Sequence, residues 1–281
     1  MPELPEIEVL KRDLEKEVVG RRIKEAEIRP GSKAMKLVKR HGRRKEFSDM
    51  LVEAKVEKVN RIGRLLVLDL DNDRVLVFDL GDSGRLYKTS ASDEIETHTH
   101  IVISFTIGGQ LRMVDPKLTG EVFVIPKSDR PKLASSTSHA IDPLAHQVTW
   151  HHFSGILQEK ETDLKGLLMD EKFVCGLGDL YSDEVLFAGG IRYDRQSNEL
   201  SSQDVRRLYR ALMETLQEAV KMRGTSLGED PFKDLQGNLG EFQVELKVYE
   251  REGEACRRCR NQIEKVNHNG HVTYFCPQCQ S

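Results

Sequence analysis

The stretch that decides the fold lies near the end of the chain, where residues 256–279 read CRRCRNQIEKVNHNGHVTYFCPQC. Cys256 and Cys259 are separated by two residues, and Cys276 and Cys279 repeat this spacing after a gap of sixteen residues. Such pairs are typical of a zinc site with four thiolate ligands. Four ligands leave no open coordination position, so we expect one structural zinc ion, which folds a hairpin too small to bury its own core.

The composition of the chain is that of a globular protein. Its 281 residues are 38% hydrophobic and 32% charged, which favours about two domains. No run of about 18 apolar residues occurs, and the opening MPELPE is charged where a secretion signal needs an apolar core. We therefore expect a soluble, cytoplasmic protein without a membrane segment. The fifth cysteine, Cys175, follows Phe173 and Val174 and is expected to be buried.

The net charge of the chain does not by itself indicate a nucleic-acid partner. With 43 Lys and Arg against 46 Asp and Glu, the formal charge is −3. However, residues 29–45 contain eight basic residues and no acidic one. This block is either a solvated loop or a local anion-binding surface, and the sequence leaves both open.

Hydrophobic periodicity predicts a helix followed by a β-rich region. Apolar residues at helical spacing indicate a helix over 6–19, which Gly20 ends. Short runs separated by turn signals predict strands over 52–59, 65–70, 75–80, 100–105, 111–114 and 121–125. Their spacing favours an antiparallel sandwich or barrel.

Helical patterns dominate the second half of the chain. An irregular stretch, 126–146, separates the two halves, and helices are predicted over 150–158, 163–168, 179–188 and 201–223, followed by a glycine-rich loop over 224–240. The expected fold class is α+β. We expect an N-terminal β-sandwich domain flanked by helices over 1–130, a linker over 131–149, a helical domain over 150–245 and a zinc hairpin over 246–281.

The N-terminus offers a candidate nucleophile. Because Pro2 is small, removal of Met1 is favoured and would leave a secondary amine as the first group of the chain. An α-amine has an unperturbed pKa near about 8, so part of it is neutral and can attack a sugar or carbonyl carbon to form an iminium. Glu3 and Glu6 would then supply a general acid and a positioning group. An ordinary exposed terminus is the alternative.

A second candidate site precedes the helix at 179–188. Residues 175–181 read CGLGDLY, and two glycines before a helix start let backbone N–H groups approach a phosphate. Lys165, upstream across a short turn, would add a point charge for the same phosphate. Such a clamp positions a nucleic acid and does not read its sequence.

Together these motifs resemble the formamidopyrimidine-DNA glycosylase and endonuclease VIII family over essentially the whole chain. The matching elements are, in order, PELPE at 2–6, LGDSG at 80–84, DP at 115–116, LLMDEK at 167–172, GLGDLY at 176–181 and the terminal CPQCQ at 276–280. The resemblance implies a helix-two-turn-helix in the helical domain and a β-hairpin zinc finger.

The resemblance also implies a function and a mechanism. It indicates a base-excision-repair DNA glycosylase with lyase activity on abasic sites, which flips a damaged base out of DNA. Pro2 would attack the sugar C1′, Glu3 would protonate the sugar or leaving group, and Glu6 would support the flipped nucleotide before β- and δ-elimination. The expected partner is damaged DNA, duplex or single-stranded, the expected cofactor is zinc with no small molecule, and the expected state is a monomer.

Several family positions carry unusual residues here. The resemblance assigns a catalytic role to Arg64 and DNA binding to His98, His100, Lys165, Gly178, Asp179 and His271. Yet Arg64 replaces a lysine, Asp179 an asparagine and His271 an arginine, which changes how each would meet a phosphate. Asp82 replaces an inserted methionine, and Leu118 with Thr119 replaces the arginine and phenylalanine of a wedge. An apolar wedge compensates for lost base stacking, which a carboxylate does not do.

These departures leave three hypotheses open. The first is an active glycosylase and lyase with a changed preference, for single-stranded DNA, open structures, abasic sites or an unusual adduct. The second is a non-catalytic relative that binds DNA or a protein. The third is an ordinary oxidised-purine enzyme in which Arg85, Lys117, Arg258 and Arg260 supply the lost charge. The acidic loop over 224–240 does not identify the lesion.

Overall fold

The computed structural model describes residues 2–31, 33–134, 140–145 and 148–281. These residues form two compact units, residues 1–136 with 223–241, and residues 137–222 with 242–281. The expected helical domain ended at 245, but residues 223–241 group with the first unit. Leu235 explains this difference, since it is fully buried in the core of that unit. Met1 and parts of the expected linker lie outside the described residues.

The first unit contains two four-stranded antiparallel sheets. One sheet has the order β1-β6-β7-β5 and the other the order β2-β3-β4-β8. The strands are β1 (Ile23–Ile28), β2 (Val56–Ile62), β3 (Leu65–Leu70), β4 (Arg74–Asp79), β5 (Arg85–Thr89), β6 (Thr99–Phe105), β7 (Gln110–Val114) and β8 (Glu121–Pro126). Both sheets contribute buried side chains to one core, so the expected α+β fold with a β-sandwich is confirmed.

Three helices accompany these sheets: α1 (Leu4–Val18), α2 (Arg44–Leu51) and the short α3 (Arg130–Leu133). In α1, Ile7, Leu10 and Leu14 recur at spacings of three and four and are buried in the sandwich core. In α2, Phe47 and Leu51 do the same. Helices α1 and α2 therefore each pack one apolar stripe on the sandwich.

The second unit combines helices with the terminal hairpin. Its helices are α4 (Trp150–Gln158), α5 (Leu164–Met169), α6 (Asp179–Gly189) and α7 (Ser202–Lys221), and its strands are β9 (Glu264–His268) and β10 (His271–Phe275). Side chains of Thr149, Asp163 and Ser201 cap the first turns of α4, α5 and α7. Gly190, in the left-handed conformation, ends α6.

The element predictions were closest where the pattern was strongest. The expected bounds of β3 and α4 are those of the structure, while β1, β5 and α2 were missed. The strand expected from residue 52 begins instead at Val56, because Glu53 adopts a left-handed φ of 67° and turns the chain after α2. Within the described residues, no helix is both long and apolar enough to cross a membrane.

Candidate active site and nucleic-acid interface

The expected catalytic carboxylates lie together at the start of α1. Pro2 is partly buried directly before this helix, and Glu3 and Glu6 are buried, with 7% and 3% of their surface exposed. The backbone N–H of Glu3 donates to Glu6 Oε2 at 2.9 Å. The first turn of α1 therefore holds the second carboxylate close to the residue that follows the candidate nucleophile.

The other oxygen of Glu6 is held by the loop over 224–240. The backbone N–H of Thr225 donates to Glu6 Oε1 at 2.8 Å. Gly224 has a φ of 84°, and a Cβ at this position would lie 2.9 Å from Glu6 Oε1. A glycine is thus required both for the backbone conformation and for the close approach to the carboxylate. Glu6 is oriented through both of its oxygens.

Arg223 holds this loop in place and was missed at the level of sequence. Its guanidinium donates from Nη2 to Asp13 Oδ2 at 2.5 Å and to Asp234 Oδ2 at 2.6 Å, and both carboxylates are buried. Arg223 has a φ of 63°, a conformation that few residues other than glycine adopt. No sequence signal pointed to this triad, because Asp13 lies 210 residues away in the chain.

Arg64 lies in the turn between β2 and β3 and contacts another turn of the expected site. Its Nη2 donates to the backbone oxygen of Gly81 at 3.1 Å. Gly81 precedes Asp82 in the β4–β5 turn and has a φ of 55°. The structure therefore brings Arg64 close to the position where the resemblance places an inserted side chain.

A buried carboxylate, Asp115, joins the β4–β5 turn to the β7–β8 turn. It accepts from the hydroxyl of Ser83 and from the backbone N–H groups of Leu118 and Gly120, the latter two at 3.0 and 2.9 Å. Thr119 Oγ1 accepts from the backbone N–H of Asp82 at 2.9 Å. The hydroxyl of Thr119 is therefore occupied by hydrogen bonds within the protein.

The residues at the expected wedge positions do not form an apolar wedge. Leu118 has a φ of 56° and packs against the sandwich core, while Asp82 is exposed with a polar side chain. In consequence, the β4–β5 turn presents a carboxylate, and the hydroxyl of the β7–β8 turn is bonded within the protein, where an apolar wedge would fill the gap left by a flipped base.

His98 and His100 flank the start of β6. His98 is exposed with a φ of 65°, and its backbone oxygen accepts from the N–H of Asp115 at 3.0 Å. His100 Nε2 lies 3.1 Å from the backbone oxygen of Asp115, which assigns the ring nitrogen as the donor. The two rings are 6.4 Å apart, so both lie beside the Asp115 turn.

Lys165 in the second unit is fully buried. Its ammonium donates to Asp183 Oδ1 at 2.7 Å, to Ser182 Oγ at 2.9 Å and to the backbone oxygen of Asp179 at 3.0 Å. This corrects the interpretation in which Lys165 itself met a phosphate. The ammonium instead holds the first turn of α6, because a buried charge requires protein partners.

The loop before α6 has the expected glycine geometry at one position. Gly176 has a φ of 74°, whereas Gly178, the residue before the first turn of α6, is extended and buried. Gly176 is therefore the glycine that the backbone conformation requires. Helix α6 begins directly after this loop, at Asp179.

Asp179 and His271, two of the unusual residues, form a pair. His271 Nδ1 lies 3.4 Å from Asp179 Oδ1, and Lys165 Nζ lies 3.6 Å from the same oxygen. Both side chains are about two-fifths exposed, at 42% and 39%. A carboxylate thus already stands between the Lys165 ammonium and the His271 imidazole at the N-terminus of α6, and a phosphate would have to compete with it.

The zinc hairpin also contacts the start of α5. His268 Nε2 lies 3.2 Å from Asp163 Oδ1, and Asn269 Nδ2 donates to Asp163 Oδ2 at 3.3 Å. Asp163 in turn caps α5 by accepting from the backbone N–H of Gly166. The hairpin tip therefore reaches the N-termini of two helices within the second unit.

The four cysteines form one metal site. Their sulfur atoms lie within 4.8 Å of one another, with Cys256 and Cys279 3.9 Å apart and Cys259 and Cys276 3.4 Å apart. A tetrahedron with Zn–S bonds of about 2.3 Å places sulfurs at about 3.8 Å. The donor set fits the one structural zinc ion expected from the sequence. Cys175 is buried elsewhere, as expected.

Two of the four proposed compensating cations have protein partners. Arg85 forms an ion pair with Asp230 in the loop over 224–240. Arg258 lies 4.2 Å above the ring of Phe187 and donates to the backbone oxygen of Phe187 at 2.9 Å, at the end of α6. Lys117 and Arg260 are exposed. Arg258 is thereby used in attaching the hairpin to α6.

Three family profiles match consecutive parts of the chain. The formamidopyrimidine-DNA glycosylase N-terminal domain matches residues 1–122, the H2TH domain of the same enzymes matches residues 140–230, and a zinc finger found in FPG and IleRS matches residues 253–281. The formamidopyrimidine-DNA glycosylase of Cytobacillus firmus is 34% identical over 280 residues, which cover 100% of both chains. That of Pelotomaculum thermopropionicum is 32% identical and is covered to 99%.

Solved structures of formamidopyrimidine-DNA glycosylases also match the chain. A complex between the Lactococcus lactis Fpg and DNA containing an abasic site matches with a TM-score of 0.89 and 28% identity, over 100% of both chains. A complex of the same Lactococcus lactis protein with DNA containing an oxidised pyrimidine matches with a TM-score of 0.88. The present fold is therefore similar to these proteins throughout its length.

The zinc site predicts which cysteines are required for metal binding. We expect Cys276→Ala to abolish stoichiometric zinc binding and to lower the melting temperature, because a four-thiolate site is lost with one ligand. Cys175→Ala is the matched control and should keep one zinc ion per chain. The measurement is zinc content of the purified variants with thermal melting. Zinc retained by Cys276→Ala and lost by Cys175→Ala would contradict the assignment.

The buried charges predict a pH dependence of stability. Burial raises the pKa of Asp183 to about 7, although Lys165 and the backbone N–H of Tyr274 both favour its charged form. The folded state therefore binds a proton that the unfolded chain releases near about pH 4, so this carboxyl stabilises the fold at low pH. We expect its contribution to the free energy of unfolding to fall between about pH 4 and 7.

The measurement is denaturant unfolding of zinc-loaded wild type and Asp183→Asn at several pH values. The variant should be less stable throughout, by about 1–3 kcal/mol, because an amide NH2 group would face either the Lys165 ammonium or the N–H of Tyr274, where a carboxyl oxygen now accepts. The difference between the two proteins should shrink toward high pH. A difference that grows with pH would contradict the raised pKa of Asp183.

Proposed function

Because the chain belongs to the formamidopyrimidine-DNA glycosylase family, we propose that it removes damaged bases from DNA and then cleaves the strand at the abasic site. The coarser part of this function, a DNA glycosylase of base excision repair that acts on damaged DNA, follows from the family. The finer part concerns the lyase chemistry of Pro2 and the preferred substrate. It rests on the residues around the start of α1.

The chemistry begins with the amine nitrogen of Pro2 after removal of Met1. The nitrogen attacks C1′, the bond between C1′ and the base breaks, and the base leaves with that electron pair and a proton. Opening of the sugar gives an iminium between the nitrogen and C1′. Glu3 supplies the proton, since it is buried next to Pro2 and a carboxylic acid can protonate a leaving group.

Strand cleavage follows from the acidity of the iminium. Loss of a proton from C2′ turns the iminium into an enamine. Its electron pair then returns to form a double bond between C2′ and C3′, the iminium is restored, and the 3′ phosphate leaves with the electrons of the bond between C3′ and oxygen. A second elimination expels the 5′ phosphate, and water then hydrolyses the iminium and restores the free amine of Pro2. Nucleophilic catalysis by an amine divides a difficult substitution into these smaller steps.

The single observation that carries the proposal is the geometry of Glu6. It is buried at the start of α1, and backbone N–H groups of Glu3 and Thr225 hold its two oxygens. Burial of a carboxylate costs free energy of folding, so its position at the entrance of the loop over 224–240 favours a role in function over a role in stability. The support for a catalytic site is therefore the retained set of Pro2, Glu3 and Glu6.

We further propose an altered substrate preference. Asp82 and Thr119 are polar, and Leu118 packs on the core, so the wedge that stabilises an unstacked duplex is absent from the described turns. A substrate without an opposite strand needs no wedge. Single-stranded DNA, open structures and abasic sites are the substrates that this arrangement favours.

The remaining residues are proposed to hold the DNA backbone. Arg64, His98 and His100 lie around the turns that contain Asp82 and Asp115, and are proposed to lie along the DNA backbone there. In the second unit, Gly178 and the imidazole of His271 are proposed to contact another phosphate at the start of α6, where the carboxylate of Asp179 opposes it. Lys165 would act through Asp179 as a positioning residue.

A DNA-binding protein without catalysis is a second candidate function. The pairing of Asp179 with His271 favours it, because an occupied helix N-terminus weakens the grip on a substrate. Such a protein would bind DNA in a salt-dependent manner and would be indifferent to changes at Pro2 and Glu3. The trapping experiment below separates the two candidates.

Borohydride trapping tests the proposed iminium. We expect wild-type protein to form a covalent adduct with abasic single-stranded DNA, because borohydride reduces the iminium to a stable amine. Pro2→Gly should lower the yield, and a variant that retains an added N-terminal residue should form none. Intact mass of the native protein establishes that Met1 is removed.

Glu8→Gln serves as a control for the carboxylate variants, since Glu8 lies on the same helix but bonds to Arg12 and Arg61. Glu3→Gln should slow base removal by about 10²-fold or more, whereas Glu8→Gln should leave base removal within a few-fold of wild type. A protein with processed Pro2 that forms no adduct on single-stranded or duplex abasic DNA would exclude the lyase mechanism.

The Asp179 and His271 pair predicts a gain of affinity on substitution. Asp179→Asn removes a negative charge beside the proposed phosphate site, so affinity for an abasic duplex should rise by about tenfold, or about 1.4 kcal/mol. The double variant with His271→Arg should bind at least as tightly. Asp194→Asn is the matched control, because Asp194 is 38% exposed and also pairs with a cation, Arg192.

The measurement is equilibrium binding to duplex DNA that contains a stable abasic-site analogue, at fixed salt. An unchanged or lower affinity for Asp179→Asn would show that this carboxylate does not oppose phosphate binding.

A further inference from the structure

The first unit carries a strongly basic surface that the proposed chemistry does not use. Residues 33–45, here called the basic segment, run from the loop after β1 into the first turn of α2. Their exposed cations are Lys33, Lys36, Lys39, Arg40, Arg43, Arg44 and Lys45. In a chain whose formal charge is −3, this concentration of positive charge is local and marked.

The basic segment is fixed to the edge of a sheet. The backbone oxygen of Leu37 accepts from the N–H of Val122 at 2.6 Å, and the ring of His41 accepts from the N–H of Val124 at 3.0 Å. Burial lowers the pKa of His41, which keeps its ring neutral and able to accept. These bonds cover the outer edge of β8, so the cations stand on a rigid support.

Most of these cations lack an acidic partner. Glu121 accepts two bonds of 3.0 Å from Arg40 and lies 3.9 Å from Lys39. Across the described part of the chain, no carboxylate lies within ion-pair distance of Lys33, Lys36, Arg43, Arg44 or Lys45. Five charges are therefore available to an external anion.

The stability of the fold does not explain these charges. Arg44 and Lys45 lie in the first turn of α2 and Arg43 directly precedes it, where the positive end of the helix dipole disfavours cations. Neutral or acidic residues would stabilise this helix better. A cluster that costs stability at an exposed surface indicates a binding function.

We propose that the basic segment is a second DNA-backbone surface, which binds phosphates of duplex DNA outside the lesion site. Its position supports this assignment, because Val122 and Val124 follow directly after the β7–β8 turn at the expected lesion site. DNA at that turn can extend along the edge of β8 when the duplex is long enough. The proposal uses the proposed function only to identify DNA as the polyanion.

The test compares two variants that lose the same charge. The patch variant replaces Lys33, Lys36, Arg43 and Lys45 by Gln, and the control variant replaces Lys16, Lys24, Lys55 and Lys58, which are also exposed on the first unit. Binding to undamaged duplexes of about 12 and about 40 base pairs is measured over a range of salt, because each phosphate contact contributes about 0.9 to the salt slope.

We expect the patch variant to lose about tenfold or more in affinity for the long duplex, and its salt slope to fall by about 2–4. The control variant should change much less, and the short duplex should distinguish the two variants little. Thermal melting of the patch variant should be unchanged or raised, since unfavourable charges at the start of α2 are removed.

Equal losses in the two variants, or no loss in the patch variant, would overturn the proposal. A patch-specific loss of the same size on both duplexes would also overturn it, because the surface would then belong to the lesion site itself. Borohydride trapping on a short abasic strand is run in parallel. Its failure would count against the proposed lyase and leave the inference on the basic segment standing, so the two failures are distinguishable.

Discussion

The second unit depends on the ammonium of Lys165, which is removed entirely from water. It is stable there because Asp183, Ser182 and the backbone oxygen of Asp179 accept hydrogen bonds from its N–H groups. Asp183 in turn accepts from the backbone N–H of Tyr274 in β10. One buried ion pair, Lys165 with Asp183, therefore joins α5, α6 and the zinc hairpin. The zinc site and this ion pair both hold the hairpin. His268 and His271 of the hairpin lie beside Asp163 and Asp179 at the N-termini of α5 and α6.

The first unit follows the same principle with carboxylates. Asp115 fixes two turns through backbone N–H groups, and Glu6 fixes the loop over 224–240 through Thr225. Buried anions that accept several N–H bonds are rigid, because each lost bond would leave a charge uncompensated. Buried hydrogen bonds therefore determine the shape of the surface that would face a substrate. The unusual residues Asp82 and Thr119 alter this surface while the buried supports remain.

The sequence predicted the parts of this protein that depend on local patterns. The four cysteines, β3 and α4 follow from spacing and periodicity. The catalytic roles of Glu3 and Glu6 beside Pro2 stay predictions. The helix α2 was missed because its apolar stripe is short and basic residues surround it. The triad around Arg223 and the burial of Lys165 were missed for a different reason. Both depend on partners brought together by tertiary folding, and a lysine on a surface and a lysine in a core look alike in sequence.

The bond between Thr225 and Glu6 joins residues 219 positions apart. Because a chain is made from its N-terminus onward, Glu6 is made long before Thr225. Until then the carboxylate lacks one of the two backbone N–H groups that orient it, and the core of the first unit lacks the side chain of Leu235. A chain that ends before residue 225 therefore lacks the support of this carboxylate. The bond between Thr225 and Glu6 can therefore form no earlier than shortly before the zinc hairpin is made.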